Sequence, residues 1–382
     1  MSRPRLPTAP DASFGSLMAQ VRALEGARLA SAVPPDCLRP RPWRGLAGFA
    51  TSYLLYAGAL VAVAHAHWVL QLPLYLLAGL GGWGLHCIAH DCGHQSFSRS
   101  RRLNSVIGQL ALLPLLYPFH AWRHVHNLHH LHTNHLELDT DWRPLSAEVH
   151  ARLPRWERLL YSATRSWAFW AGTIRYWALS AFRPGFFPKR EMRRDAWQSI
   201  VVVLVAGLVY LALLAHATGA WGLLRYFVCP WLAIHLWFST TTLMHHVRGD
   251  LPFLPGTHWT PNASRLLLTV DYRYPRPLEF LTHYISLHTA HHVVPAVPFY
   301  HLPAAQAALK QAYPGLLREH RFSFAQLLHI LRDCRFYDSR RGYYRSARRA
   351  GRDEPLAAAG EAVHAADATA AAPDDASRCT AR

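Results

Sequence analysis

Four apolar runs arranged in two closely spaced pairs constrain this chain more than any other feature. Residues 46–68 form the first run long enough to cross about 30 Å of hydrocarbon, and residues 69–88 follow almost at once. The second pair covers 199–217 and 223–244, again with a short connection. Backbone inside hydrocarbon must satisfy its own hydrogen bonds, so each run reads as a helix and each pair as a helical hairpin. The composition agrees, with 51% of residues hydrophobic and only 16% charged; soluble domains average about 25% charged. The expected fold is an all-α integral membrane protein with four transmembrane helices in two hairpins.

Charge distribution orients that fold. The formal charge of +17 is almost all arginine, since Lys189 and Lys310 are the only lysines. A balance this basic first suggests nucleic acid, but the apolar runs argue against it, because basic residues flanking membrane helices on the cytoplasmic side give the same number. The two tight connections, 64–73 and 216–222, contain no Lys or Arg, whereas the N-terminal region, residues 98–194 and the C-terminal third are rich in arginine. The positive-inside rule therefore places both termini and these basic regions in the cytoplasm, in the inner membrane if the source is bacterial. Six scattered cysteines without a C-x-x-C pair suit a reducing compartment. No cleaved signal peptide is expected, so the first span should serve for insertion.

The expected organisation is a cytoplasmic N-terminal region (1–45), a membrane domain (46–350) and an Ala- and Asp-rich disordered tail (351–382). Within the first region, Phe14, Leu17, Met18, Val21 and Leu24 repeat at helical spacing, as in a helix lying on the membrane or one packed on the cytosolic domain. Residues 106–117 are apolar, too short to span and interrupted by Pro114, with Pro118 just beyond, which reads as an interfacial or re-entrant segment.

Three histidine clusters fall in or beside the basic regions: His90 and His94; His126, His129 and His130; and His288, His291 and His292. Spacings of three and four bring side chains to one helical face, so each cluster is a set of convergent imidazoles. Eight nitrogen ligands exceed what one metal can use, so the economical reading is two metal ions held by histidine. Alone, an H-x-x-x-H or a His-rich tract is weak evidence. Two copies of H-x-x-H-H on the same membrane face as an H-x-x-x-H are strong evidence. His86 lies deeper in the apolar run and reads as a hydrogen-bonded packing residue. His124, His132 and His135 crowd the second cluster, and His245, His246 and His283 are further candidates for completing a metal shell. Asp91, Asp139 and Asp141 either take the outer ring proton of a ligating imidazole or are solvated carboxylates.

Other chemistries find no support. Gly79, Gly81 and Gly84 spell G-x-G-x-x-G but lie inside a membrane run, where small residues permit close helix packing. Asn262-Ala263-Ser264 is a sequon predicted to face the cytoplasm. No H-E-x-x-H is present, as a zinc protease would require. Two redox metals beside a bilayer can activate dioxygen against an unactivated C–H bond, and with no flavin, nicotinamide or iron–sulfur motif the electrons must come from a separate protein. An arginine-rich face would attract an acidic carrier. A metal transporter is the rival reading, although it would place polar ligands along the spans rather than at their ends.

The residues carry a resemblance. The set His90-Asp91-Cys92-Gly93-His94-Gln95-Ser96-Phe97, His126-x-x-His129-His130-x-x-Thr133-Asn134 and His288-Thr289-Ala290-His291-His292, followed by 297–301, resembles the membrane fatty acid desaturase family over roughly residues 46–303. The resemblance implies an oxygen-dependent enzyme with two iron ions, four membrane helices and a cytoplasmic helical cap, in which the boxes ligate the irons. It also implies one more ligand after the fourth span. His246, which precedes Leu251-Pro252, suits that role best, with His245 as the alternative. The implied electron donor is a ferredoxin, a rubredoxin or a b-type cytochrome, and the implied substrate is a fatty acyl chain on lipid, coenzyme A or carrier protein. An H-x-x-x-H first box and a third box opening with His288 resemble methyl-end (omega-6 type) desaturases. The same boxes resemble acyl hydroxylases, acetylenases and carotenoid ketolases, so the resemblance fixes the site more closely than the outcome.

Overall fold

The computed structural model describes residues 12–338 and 343–345, so the tail expected to be disordered lies outside the described residues. The chain is helical nearly throughout. In order, the α-helices of the described residues are α1 (Ala12–Arg22), α2 (Pro42–His65), α3 (Gln71–Gly93), α4 (Arg101–Leu112), α5 (Phe119–Leu131), α6 (Ala147–Arg152), α7 (Arg155–Thr164), α8 (Gly172–Tyr176), α9 (Arg190–Leu223), α10 (Cys229–His246), α11 (Pro261–Leu266), α12 (Arg276–Leu281), α13 (His288–Val293), α14 (Leu302–Ala312) and α15 (Phe324–Asp333). Strands β1 (Val270–Arg273) and β2 (Arg318–Arg321) pair in parallel, and their long crossover holds α12, α13 and α14.

Three stretches are long and apolar enough to cross a membrane: Pro42–His65, Trp68–Gly93 and Arg190–His246. The first begins a few residues before its hydropathy signal because Pro42, which has no N–H to lose, starts the helix. The second continues past Ile88 to Gly93 and so carries His90 on its last turn. The two pack closely along a glycine face of α3. A Cβ on Gly81 would stand 2.6 Å from the Tyr56 amide nitrogen, and one on Gly79 would stand 2.6 Å from the Ala233 carbonyl carbon of α10. The literal nucleotide pattern is thus a helix-packing surface between α2 and α10.

The third stretch covers both runs of the second expected pair. Its 57 residues would measure about 85 Å as one straight helix, far more than a bilayer core. The chain bends at Gly219 (φ 68°, ψ −173°), a backbone conformation that favours glycine. Beyond the bend Phe227 meets Tyr210 with ring centroids 6.2 Å apart. Both limbs rest on the same turn, since Gly207 lies against Leu116 and the Trp231 indole donates to the Leu115 carbonyl at 2.9 Å. That turn ends the apolar segment 106–117. Ser100 caps α4 by accepting from the Leu103 amide, Pro114 falls in the 3-10 turn that follows, and Leu116 is left-handed at φ 50°.

Of the two readings for the N-terminal helix, packing is the one observed. Phe14, Met18 and Val21 are buried, and the Asn262 amide at the start of α11 donates to the Leu24 carbonyl at 2.7 Å. The same bond occupies the sequon asparagine. His86 is a packing residue, flanked by Trp83, Phe238 and Trp122, but it differs from expectation in having no hydrogen bond at either ring nitrogen among the described residues.

The packing predicts that Gly81→Leu, which must separate α2 from α3, lowers the stability of the detergent-purified chain by about 1–3 kcal/mol. Gly58→Leu, whose Cβ meets nothing within 4 Å, should not. Thermal midpoints from size-exclusion recovery after heating test this, and equal midpoints for the two variants would refute the close packing.

Candidate metal centre

The three clusters meet at the ends of four helices. His90 sits on the last turn of α3 and His94 at its cap; His126, His129 and His130 lie on α5. His246 is the last residue of α10, and α13 carries His288, His291 and His292. The single-face reading of the H-x-x-H-H boxes needs correction here, because each box divides between two ligand groups. His90, His94, His126, His130 and His291 bring one nitrogen each within 4.8 Å of one another, and His129, His246 and His292 do the same nearby. His288 joins the second group, its Nε2 lying 3.0 Å from that of His246 and 3.1 Å from that of His292. The division follows helical geometry. Residues i and i+4 of each box face one group while i+3, about 60° around the helix from i and about 100° from i+4, faces the other, and the two boxes are used in opposite senses.

These nitrogens fit metal ions. In the first group the Nε2 atoms of His126 and His291 each stand 3.0 Å from that of His130. In the second, His129 and His246 are 3.3 Å apart. With metal–nitrogen bonds of about 2.1 Å, neighbouring ligands are separated by about 3.0 Å at right angles and about 3.4 Å in a tetrahedron. Burial holds His126, His130, His288, His291 and His292 well below the ordinary imidazole range, and neighbouring imidazoles add to the effect, so they are neutral with lone pairs available.

Outer contacts choose the tautomers. Asp139 accepts from His129 Nδ1 at 2.8 Å, directing the bare Nε2 into the second group. Burial opposes charge on His129, but the Asp139 carboxylate outweighs it and raises the imidazole above its ordinary value. Asp139 is itself fixed by the amides of Asn134 (2.6 Å) and Asp141 (2.9 Å). The Thr133 hydroxyl donates to the His129 carbonyl at 2.8 Å and so accepts from His292 Nδ1 at 3.1 Å. Asp91 makes no hydrogen bond to an imidazole among the described residues and instead accepts from the Phe299 amide at 2.8 Å, pinning the chain beyond the third box to α3. Asp141 lies beside the cluster, and burial pushes its carboxyl up to about 6.

The remaining histidines stand apart. His245 Nδ1 donates to the Val270 carbonyl at 2.5 Å while its ring stacks on His288. His283 bonds Ser52 at 2.8 Å and packs on Phe299. His124 faces Asp195, and His135 faces Glu137; His132 packs beside His135 and Trp259.

Sequence reasoning missed Asp271 and Gln306. Fully buried on β1, Asp271 accepts from the Thr289 amide at 2.7 Å, and Gln306 of α14 both donates to Asp271 and accepts from the Ala290 amide at 3.1 Å. Together they satisfy two of the free N–H groups of the short helix α13, which would otherwise be orphaned in a dry interior. Only a lone acid in an apolar strand signalled this.

A cavity of about 520 Å³ runs beside the centre. Its lining includes His126, His129, His246 and His288, the aromatic rings of Trp83 and Phe238, and Arg165 and Arg175.

Comparison with known proteins completes the picture. The family pattern for fatty acid desaturase matches residues 66–324. The sn-1 oleoyl-lipid 12-desaturase of Synechocystis sp. is 36% identical over 317 residues, covering 81% of this chain and 88% of its own. That of Picosynechococcus sp. is 33% identical over 311 residues, covering 81% and 89%. The chloroplastic omega-6 fatty acid desaturase of Spinacia oleracea is 33% identical over 291 residues, covering 75% and 64%. The histidine-rich centre beneath apolar helices therefore sits in a membrane protein of the fatty acid desaturase family, an oxidoreductase of fatty acyl chains.

Proposed function

We propose that this desaturase uses two iron ions, one held by His90, His94, His126, His130 and His291, the other by His129, His246, His288 and His292. The observation that carries this reading is the set of buried and half-buried Nε2 atoms 3.0–3.3 Å apart, with no Lys or Arg nitrogen in either ligand group among the described residues. When bound, the iron pair supplies oxygen activation strong enough to break an unactivated C–H bond. The chain's own part is to hold nine imidazoles in place, with Asp139 and Thr133 setting the tautomers of His129 and His292, and to keep water from an acyl chain lying in the cavity. Loss of one hydrogen from each of two neighbouring carbons gives the double bond.

The names of the relatives, oleoyl-lipid 12-desaturase and omega-6 desaturase, support a methyl-end reaction on an oleoyl chain esterified to lipid. Four crossings follow if the limbs on either side of Gly219 each traverse the bilayer, in spans near 46–68, 69–88, 199–217 and 223–244 within a domain of 46–350. The arginine-rich loops then put the centre and both termini in the cytoplasm, under a helical cap. There a separate small acidic donor, such as a ferredoxin, a rubredoxin or a b-type cytochrome, delivers electrons.

Expression in a host followed by lipid mass profiling should yield acyl chains lighter by two hydrogens. Products heavier by one oxygen would make the enzyme a hydroxylase. Purified protein should hold about two irons per chain, and exchangeable zinc without iron would refute the oxygenase reading. His129→Ala and His291→Ala should each abolish product while the protein stays in the membrane, and each should deplete mainly one of the two metals; retained turnover removes the residue from the ligand set. Asp139→Asn should weaken iron retention about 10–100-fold in a chelator titration, whereas unchanged retention would mean that Asp139 does not tune His129.

A further inference from the structure

Arg165 is a buried cation that makes no ion pair among the described residues. Only 5% exposed, it lines the cavity beside the metal centre, and its Nη1 has no partner among the described residues. Its other terminal nitrogen donates to the Trp142 carbonyl, and its guanidinium lies 5.6 Å from the ring centres of both Trp142 and Tyr161. Two aromatic faces and one carbonyl orient the group without neutralising it. Asp141 lines the same cavity and acts on Arg165 through space, but the two make no ion-pair contact among the described residues. A buried charge without a counter-ion in contact is costly enough that proteins rarely keep one for packing alone. A second arginine, Arg175, lines the cavity and is exposed, and Arg143, also lining it, donates to the Glu137 carbonyl.

The neighbouring helix locates this end of the cavity. Tyr161 and Thr164 of α7 are buried and line it, while Trp156 and Leu159 on the outer side are 61% and 71% exposed and Trp167 just beyond is 77% exposed. Arg155 and Arg158 lie on the same helix. A short helix with exposed Trp and Leu, flanked by arginine, suits the boundary between headgroups and acyl chains, and its charge suits anionic lipid. We propose that Arg165 and Arg175 form an anion subsite at the membrane-facing mouth of the cavity, which takes the phosphate of the phospholipid whose acyl chain lies along the histidine centre. This rests on the acyl-lipid desaturase reading and adds to it the headgroup class. Bidentate N–H donation from guanidinium to phosphate oxygens is the recognition chemistry, and it would select phospholipid over neutral glycolipid.

The test offers the full-length, iron-loaded chain an equimolar mixture of dioleoyl phosphatidylglycerol and dioleoyl galactosyl diglyceride in mixed micelles, with oleoyl-coenzyme A in a separate arm. Product is read by mass, and bound lipid by native mass spectrometry. The expected result is about fivefold or greater preference for the phospholipid in both readouts, with that preference falling toward parity in Arg175→Gln and retained in Arg175→Lys. Arg165→Lys, which keeps the charge but not the planar fork, should raise KM for the phospholipid more than it lowers kcat. Equal use and equal binding of the two lipids would overturn the subsite while leaving desaturation standing, as would preference for oleoyl-coenzyme A. If neither lipid is desaturated, the functional reading fails, and lipid retention still decides the subsite by whether Arg175→Gln loses bound phosphatidylglycerol.

Discussion

Nine imidazoles gathered with ring nitrogens toward one another are the constraint on which the rest of this molecule depends. Six of these residues are buried outright, His90, His129, His246, His288, His291 and His292, and ring nitrogens approach to 3.0 Å across elements far apart in sequence. A neutral imidazole has one N–H, so a ring whose outer nitrogen donates elsewhere presents only a lone pair inward. Such lone pairs repel unless a cation lies among them. The surroundings therefore work to hold an arrangement that gains its stability from what it binds, as expected of a metal centre whose formation is coupled to folding.

Four helix ends must be brought together for this, and each is fixed by a different interaction. α3 is placed by glycines that let α2 and α10 approach its backbone. The third box is the weakest element taken alone, since α13 has only six residues. Its position comes from outside: Asp271 and Gln306 hold its first turn, and Asp91 holds the chain beyond it through Phe299. The carboxylates thus divide their work. Asp139 acts on a ring directly, while Asp91 and Asp271 position backbone.

Much of this was legible in the residues themselves. The H-x-x-x-H and paired H-x-x-H-H spacings marked the eight box histidines, whereas His245 and His246 share the end of an apolar run and only the family resemblance, through Leu251-Pro252, favoured His246. What spacing could not reveal was the division of each box between two groups, because that depends on where other helices arrive. The role of Asp91 was illegible for the same reason, since a residue between two box histidines looks like a ring partner until the fold brings Phe299 to it. Asp271 carried almost no signal, for the amides it satisfies belong to a helix that only tertiary packing makes necessary. Hydropathy found both apolar pairs but could not read the bend at Gly219, where one glycine amid helix formers changes the direction of a 57-residue run.

The cavity joins two demands that are hard to meet in one protein. An acyl chain would need an apolar slot, such as Trp83 and Phe238 offer in part of the cavity wall, whereas a metal centre needs polar ligands, and both kinds of residue border the same space. Neutral imidazoles reconcile them. At His126 and His288, where burial suppresses protonation, histidine adds no charge to the cavity, yet supplies nitrogen strong enough to bind metal. Carboxylate ligands in the same positions would bring negative charge into the slot or, like Asp141, be driven toward the protonated form that binds metal poorly. The preference for histidine over acid in this centre thus follows from its place beside hydrocarbon, before any requirement of oxygen chemistry is considered.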